Sequence, residues 1–284
     1  MTSVDTTASA LDQARYQASA SARRLAGRVA VVFGAGSGSD GVTNGQAAAI
    51  RYAQEGALVS CVDLDPDAAE RTRALVVALG GEATSWQADV TEPTQVERVV
   101  HDIVAEHGAL HVLHNNVGVT TLGGPVELEY AAWRRSFVIN VDSVFLTAKY
   151  ALPHLRQSGH GAIVNVSSVA ALRDVGYPYP AYMASKAAVN QVTVSLALTH
   201  AREGIRANAV APGFMDTPLV RHQLASQAES IEELLALRHE ASPTGRMGTC
   251  WDVANASLFL ASDEAAYVNG VCLAVDGGLT MRCV

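Results

Sequence analysis

Arg28-Val29-Ala30-Val31-Val32-Phe33 runs straight into Gly34-Ala35-Gly36-Ser37-Gly38-Ser39-Asp40-Gly41-Val42-Thr43-Asn44-Gly45. The five residues after Arg28 are apolar without alternation, three of them valines, the pattern of a strand buried on both faces. The glycine-rich run leads into a helical pattern at Gln46 to Gln54. Such a turn lets backbone N–H groups approach a pyrophosphate on the positive end of the helix. A purely structural turn has the same composition, so the context must decide.

Downstream, short apolar runs alternate with longer helical patterns. Strands are expected at Leu58 to Val62, Glu82 to Ala88, Ala109 to His114, Ala162 to Val166, Ile205 to Val210 and Val271 to Val275. Helices are expected over 66–79, 94–107, 130–157, 181–202 and 251–261. Seven strands separated by helices imply right-handed crossovers and a parallel sheet covered on both faces, a single doubly wound α/β domain over 26–284. The segment 214–247 breaks the alternation, and an excursion of that length reads as a substrate lid.

The chain has 284 residues, 49% hydrophobic and 17% charged, which suits a folded protein with a sizeable core. A formal charge of -8 with dispersed basic residues argues against nucleic acid as a partner. No apolar run is long enough to span a membrane. Residues 1–25, rich in Ala, Ser and Thr, lack a secretory apolar stretch, and Asp5 and Asp12 argue against a matrix-targeting peptide. They read as a tail or an oligomer-contacting arm. Cys61, Cys250, Cys272 and Cys283 stand apart with no paired spacing, which fits a reducing cytoplasm.

Chemistry concentrates at the carboxyl ends of the expected strands, where open α/β sheets bind ligands. Asp63 ends the second strand; a carboxylate there would accept bonds from both ribose hydroxyls and repel a 2′-phosphate, favouring NAD over NADP. A solvated strand-end Asp looks the same, and Asp65 or Asp67 is close by. No Arg or Lys lies within the glycine loop to hold a 2′-phosphate. Asp89-Val90 and Asn115-Asn116-Val117-Gly118 follow the third and fourth strands, where Asx turns are equally at home. After the fifth strand come Ser167 and Ser168, then Tyr182 and Lys186. Positions i and i+4 of a helix share a face, so the Lys186 ammonium can stand beside the Tyr182 phenol. A neighbouring cation favours the phenolate and moves its pKa toward the working range of a base. Ser168 can donate to the substrate oxygen as charge develops on it.

The order of these motifs resembles the short-chain dehydrogenase/reductase family over roughly 26–280. The resemblance implies a Rossmann-type fold, a nicotinamide cofactor and a homo-oligomer, most often a tetramer. It implies Tyr182 as general acid/base, Lys186 as the group that lowers its pKa and holds the nicotinamide ribose, and Ser168 on the substrate oxygen. It also implies Asn140 as the anchor of a proton-relaying water. The cofactor set it implies is Gly34, Gly36, Ser37, Gly38, Gly45, Asp63, Leu64, Asp89, Val90, Asn116, Val117, Gly118, Pro212, Gly213, Met215 and Thr217, together with Tyr182 and Lys186. Asp276-Gly277-Gly278 resembles the family's C-terminal signature near the tetramer interface. Three departures stand out. Phe33 replaces the family's Thr, and the loop is about five residues longer than the compact pattern, so that Gly45 takes the last glycine's place. Val117 stands where Ala is usual.

His107, His111 and His114 straddle a helix end, a turn and a strand, which does not suit a metal set, and no metal is expected. Tyr177-Pro178-Tyr179-Pro180 could border the substrate or form a rigid loop. Phe214, Met215, Leu219 and Leu224 suggest an apolar lid, or core, or oligomer surface. The expected reaction is hydride transfer between NAD and an apolar secondary alcohol or ketone, alicyclic, aromatic or steroid-like. The alternatives are an NADPH-dependent 3-oxoacyl or ketone reductase and a non-catalytic dinucleotide-binding regulator.

Overall fold

Val29, Ala30, Val31, Val32 and Phe33 form a strand (β1, Val29–Phe33) with no residue more than 7% exposed. It lies inside a computed structural model that describes residues 23–38, 41–218, 220–221 and 230–282. The expected N-terminal arm falls almost wholly outside the described residues, as do Leu219 and Leu224.

The remaining strands of the main sheet are β2 (Leu58–Asp63), β3 (Glu82–Gln87), β4 (Val112–Asn115), β5 (Gly161–Val166), β6 (Ile205–Pro212) and β9 (Cys272–Val275). They pair in the order β3-β2-β1-β4-β5-β6-β9, every pair parallel. This is the expected seven-stranded, doubly wound Rossmann-type sheet. Strands β1, β4 and β5 are buried throughout, whereas the edge strands β3 and β9 are only half-buried. That gradient explains why the inner strands are apolar runs and Glu82–Gln87 is not. Two short strands, β7 (Met215–Asp216) and β8 (Gly248–Thr249), pair with each other beyond β6.

Helices α1 (Asn44–Gln54), α2 (Pro66–Ala78), α3 (Pro93–His107), α4 (Tyr130–Phe137), α5 (Ser143–Ser158), α6 (Pro180–His200), α7 (Ile231–Ala241) and α8 (Cys250–Ala261) complete the layers. One core packs Ile50 and Tyr52 of α1 with Trp251 and Leu258 of α8. The other packs Ile103 of α3 with Leu146 and Leu155 of α5. Local chemistry sets the helix ends. Pro66 and Pro93 start α2 and α3. Gly108 and Gly159 close α3 and α5 at φ 78° and 74°, where a side chain would be strained. Thr249 and Asp252 form a reciprocal capping box on α8.

Two expectations change. The long helix over 130–157 is interrupted by a π turn at Val138–Asp142, which contains Asn140. The fourth strand begins at Val112 rather than Ala109, because the Leu110 side chain enters the core ahead of the ladder.

The strand order reverses at β1: the chain lays β2 and β3 on one side and then crosses to place β4 on the other. The loops leaving β1 and β4 therefore diverge and open a crevice between them.

Candidate active site

The glycine-rich loop meets the crevice at both of its ends. Gly36 N–H donates to Asp63 Oδ2 at 2.8 Å, tying the start of the loop to the end of β2. Thr43 hydroxyl donates to Gly36 carbonyl at 2.9 Å and accepts from Gln46 N–H at 3.2 Å, so one side chain both staples the loop and caps α1. Ser37 hydroxyl donates to Gly41 carbonyl within the excursion. Gly36 and Thr43 are thus brought together at the foot of the loop.

Gly45 lies against this junction. A Cβ there would sit 2.0 Å from Gly34 carbonyl oxygen. We expect Gly45→Ala to destabilise the protein by about 1–3 kcal/mol through overpacking, read as a lowered urea midpoint with an unchanged slope. A midpoint equal to the parent's would show that α1 can shift freely.

A cleft of about 640 Å³ runs from this junction across the carboxyl edge of the sheet. Of the residues the sequence nominates, Gly34, Gly36, Asp63, Leu64, Asp89, Val90, Asn116, Val117, Gly118, Ser168, Tyr182, Lys186, Pro212, Gly213, Met215 and Thr217 line it. Ser37, Gly38, Gly45 and Asn140 do not. The reasons are physical: Ser37 hydroxyl is engaged by Gly41 carbonyl and Gly45 backs onto Gly34. Sequence reasoning missed Thr43, Asn44, Thr91, Thr120 and Arg135, which do line the cleft. The hydroxyl cap before the helix pattern was a usable signal for Thr43; nothing local marked Thr120.

Several contacts define the end near β4. Asn116 amide donates to Gly34 carbonyl at 3.0 Å, bridging the two diverging loops. Asp89 Oδ1 accepts from Thr91 N–H and hydroxyl at 2.8 and 2.7 Å, so its turn geometry and its place in the cleft coexist. A Cβ on Gly118 would meet Lys186 Nζ at 2.9 Å, so this backbone approaches the ammonium as only glycine allows.

Asn140 works from behind. Its carboxamide accepts from Val119 N–H at 2.8 Å and donates to Val119 carbonyl at 3.0 Å and to Ser185 hydroxyl at 2.9 Å. The π turn and α6 are thereby fastened to the strand β4 exit, fixing where Thr120 stands. On α6, Lys186 Nζ donates to Val166 carbonyl at 2.8 Å and lies 5.9 Å from the Tyr182 ring centroid. The hydroxyls of Ser168 and Thr120 stand by the Tyr182 phenol and favour its ionised form.

The electrostatics differ from the sequence expectation. Burial raises the Tyr182 phenol above its ordinary value, and the Ser168 and Thr120 hydroxyls oppose that rise. The downward causes on the phenol are the Ser168 and Thr120 hydroxyls, with the Lys186 ammonium 5.9 Å from the ring. Burial likewise brings the Lys186 ammonium down to about 8.

Do these residues fit a dinucleotide? Asn44 Oδ1, in the cleft beside the α1 N-terminus, is a buried acceptor with no partner among the described residues. Gly36 carries no side chain where a Cβ would collide with Asp63 at 2.6 Å. Carboxylates at the β2 and β3 ends, an open helix start and a bare glycine edge together suit a ribose-bearing pyrophosphate.

The three histidines have separate partners. His107 Nε2 meets Thr84 hydroxyl, His111 Nδ1 accepts from Val29 N–H, and His114 Nδ1 meets Tyr52 hydroxyl. No group of metal-ligating side chains occurs among the described residues. Tyr177, Tyr179 and Tyr182 form a ring series with centroids 5.7 and 5.5 Å apart, so the aromatic segment packs against Tyr182.

Comparison with known proteins adds a consistent set of relatives. The family model described as enoyl-(acyl carrier protein) reductase matches residues 41–280. A cis-4-hydroxycyclohexanecarboxylate dehydrogenase of Sinomonas cyclohexanicum is 43% identical over 259 residues, 90% of this chain and 98% of the relative. A cyclohexanol dehydrogenase of Acinetobacter sp. is 36% identical over 90% of this chain and 96% of its own length. Among solved structures, a short-chain dehydrogenase/reductase of Burkholderia xenovorans superposes with a TM-score of 0.89 at 43% identity, covering 92% of this chain and 99% of that one. A levodione reductase superposes with a TM-score of 0.85 at 31% identity, covering 91% and 99%.

Proposed function

The chain belongs to the short-chain dehydrogenase/reductase family, and on that premise we propose that it is an NAD-dependent dehydrogenase of alicyclic secondary alcohols. Its relatives are alcohol dehydrogenases, several of them named for cyclohexane-ring substrates. The observation that carries the reading is one cleft lined by Ser168, Thr120, Tyr182 and Asp63, with Lys186 Nζ 5.9 Å from the Tyr182 ring.

NAD, when bound, supplies the hydride acceptor for oxidation and the donor for reduction. The protein's part is proton management and orientation. Ser168 donates to the substrate oxygen, Tyr182 takes the hydroxyl proton, and Lys186 stabilises the phenolate and holds a ribose hydroxyl. Asn140 keeps α6 and the β4 exit in register for that transfer. Gly34, Gly36, Thr43 and Asn44 would hold the pyrophosphate, Asp63 the adenosine ribose, Asp89 and Val90 the adenine, and Thr217 the carboxamide. The segment 214–247 acts as the substrate lid of a single domain spanning 26–284. Exposed Phe145 on α5 and Leu198 on α6 suit a homotetramer, and the unpaired Cys61, Cys250 and Cys272 suit the cytoplasm.

The cofactor choice rests on charge. Asp63 would repel a 2′-phosphate, and Arg71, the arginine that reaches the glycine loop, is engaged by Ser37 carbonyl at 3.0 Å and Asp65 at 3.6 Å. We expect Asp63→Asn to lower kcat/KM for NAD by about tenfold or more, the loss of a charge-assisted bond, while the preference over NADP shrinks. The amide keeps an oxygen for Gly36 N–H, so the loop stays tied.

The deciding experiment is a panel of alicyclic, aromatic and steroidal secondary alcohols with NAD and NADP, followed by reduced-cofactor absorbance. Highest kcat/KM with NAD and an alicyclic alcohol supports the reading. Turnover confined to NADPH and a 3-oxoacyl substrate would replace it with the reductase.

A further inference from the structure

Arg238, on α7, is pinned in a way that leaves its binding face unused. Its guanidinium carbon lies 4.8 Å from the Phe214 ring centroid and 5.1 Å from that of Tyr177. Its Nε donates to the Tyr177 hydroxyl at 3.0 Å. The two terminal amino groups have no hydrogen bond or ion pair among the described residues, unlike those of Arg221, which grip Asp216. A guanidinium stacked on two rings and anchored through Nε keeps its remaining donors in one plane, and that fork matches a carboxylate.

Both anchoring rings belong to segments at the reacting end of the cleft. Phe214 stands between Gly213 and Met215, which line the cleft. Tyr177 stacks through Tyr179 onto Tyr182. The Arg238 charge is felt at the Tyr179 phenol. Asp174, the acid felt at the same phenol, has one oxygen engaged by Gly176 N–H at 2.9 Å and makes no ion pair with Arg238. The guanidinium rests against the faces of two rings, which hold it in place while its outer donors stay open to an incoming anion.

We propose that Arg238 is the recognition site for a carboxylate carried by the substrate, which makes the preferred substrate an alicyclic hydroxy acid. This rests on the dehydrogenase reading above: the hydroxyl end meets Tyr182 and Ser168, and the carboxylate end meets Arg238. A single planar fork between two rings suits one carboxylate; the phosphates of the cofactor belong to the glycine-loop end. The hydride and proton transfers are unchanged, since the carboxylate takes no part in bond breaking.

Two measurements on the full chain test it. Titration calorimetry with cyclohexanecarboxylate should give saturable binding to the parent, weakened about 10- to 100-fold in Arg238→Gln, with Arg238→Lys between them. Kinetics with NAD should give a kcat/KM for cis-4-hydroxycyclohexanecarboxylate well above that for cyclohexanol, and the ratio should fall about 10- to 100-fold in Arg238→Gln, through KM. A parent indifferent to the carboxylate, or equal losses on both substrates, overturns the proposal and leaves Arg238 as a pin for α7. If neither alcohol is oxidised yet cyclohexanecarboxylate binds in an Arg238-dependent way, the anion site stands and the dehydrogenase reading fails.

Discussion

Tyr182→Phe is expected to lower kcat/KM for alcohol oxidation by about 10²–10⁴-fold, the range a positioned acid/base supplies. The variant keeps the ring that stacks 5.5 Å from Tyr179, so packing and cofactor affinity should survive. What it loses is the oxygen that the Ser168 and Thr120 hydroxyls stand by. Those two hydroxyls also set the pH dependence. Oxidation needs the phenol without its proton, so activity rises with pH through the Tyr182 titration. Burial lifts that titration above the ordinary range and the two hydroxyls pull it down. Ser168→Ala should therefore move the acid limb to higher pH as well as slowing turnover. Steady-state kinetics from pH 6 to 10, with NADH binding by fluorescence as the control, separates the effects. A Tyr182→Phe enzyme within tenfold of the parent would remove Tyr182 from the chemistry and revive the non-catalytic regulator.

The sheet was readable because each inner strand is buried on both faces, which favours apolar runs such as Val29–Phe33, or Gly161–Val166 with Asn165 as its one polar residue. The reacting pair was readable because Tyr182 and Lys186 are one helical turn apart and follow Ser168 from a strand end. What escaped depends on contacts between distant segments. Thr120 matters because Asn140, 20 residues later, clamps Val119 by both backbone groups, and no local pattern carries that. The π turn that presents Asn140 keeps the helix's apolar rhythm closely enough to hide within it. The loop length hid the place of Thr43, whose hydroxyl ties Gly36 carbonyl and so brings the two ends of the glycine loop together. Arg238 was legible only as one more charge in an excursion; its partners Tyr177 and Phe214 lie 61 and 24 residues earlier.

His114 was set aside as a ligand, and its burial gives it a different consequence. It is 0% exposed on β4, with Nδ1 2.9 Å from the Tyr52 hydroxyl and Nε2 without a partner among the described residues. Burial alone pushes its imidazole down to about 3 from an ordinary 6.5. Above pH 6.5 both the folded and the unfolded chain hold it neutral, and the contribution to stability is full. As pH falls below 6.5 the unfolded chain takes a proton that the native site refuses, so stability drops by about 1.4 kcal/mol per unit until the folded titration is reached. Over the whole window the loss approaches about 4–5 kcal/mol, a large share of a typical domain's stability. His114→Phe should be less stable at pH 7, because Tyr52 loses its hydrogen-bond partner in a closed core. Its stability should nonetheless fall less between pH 7 and pH 4.5, by about 2–3 kcal/mol relative to the parent. Carboxylates titrate in both proteins and cancel in that difference. Urea unfolding at the two pH values gives the four free energies required. Parallel losses in parent and variant would mean that His114 accepts its proton in the folded state, through an opening of the β4 edge beside Tyr52.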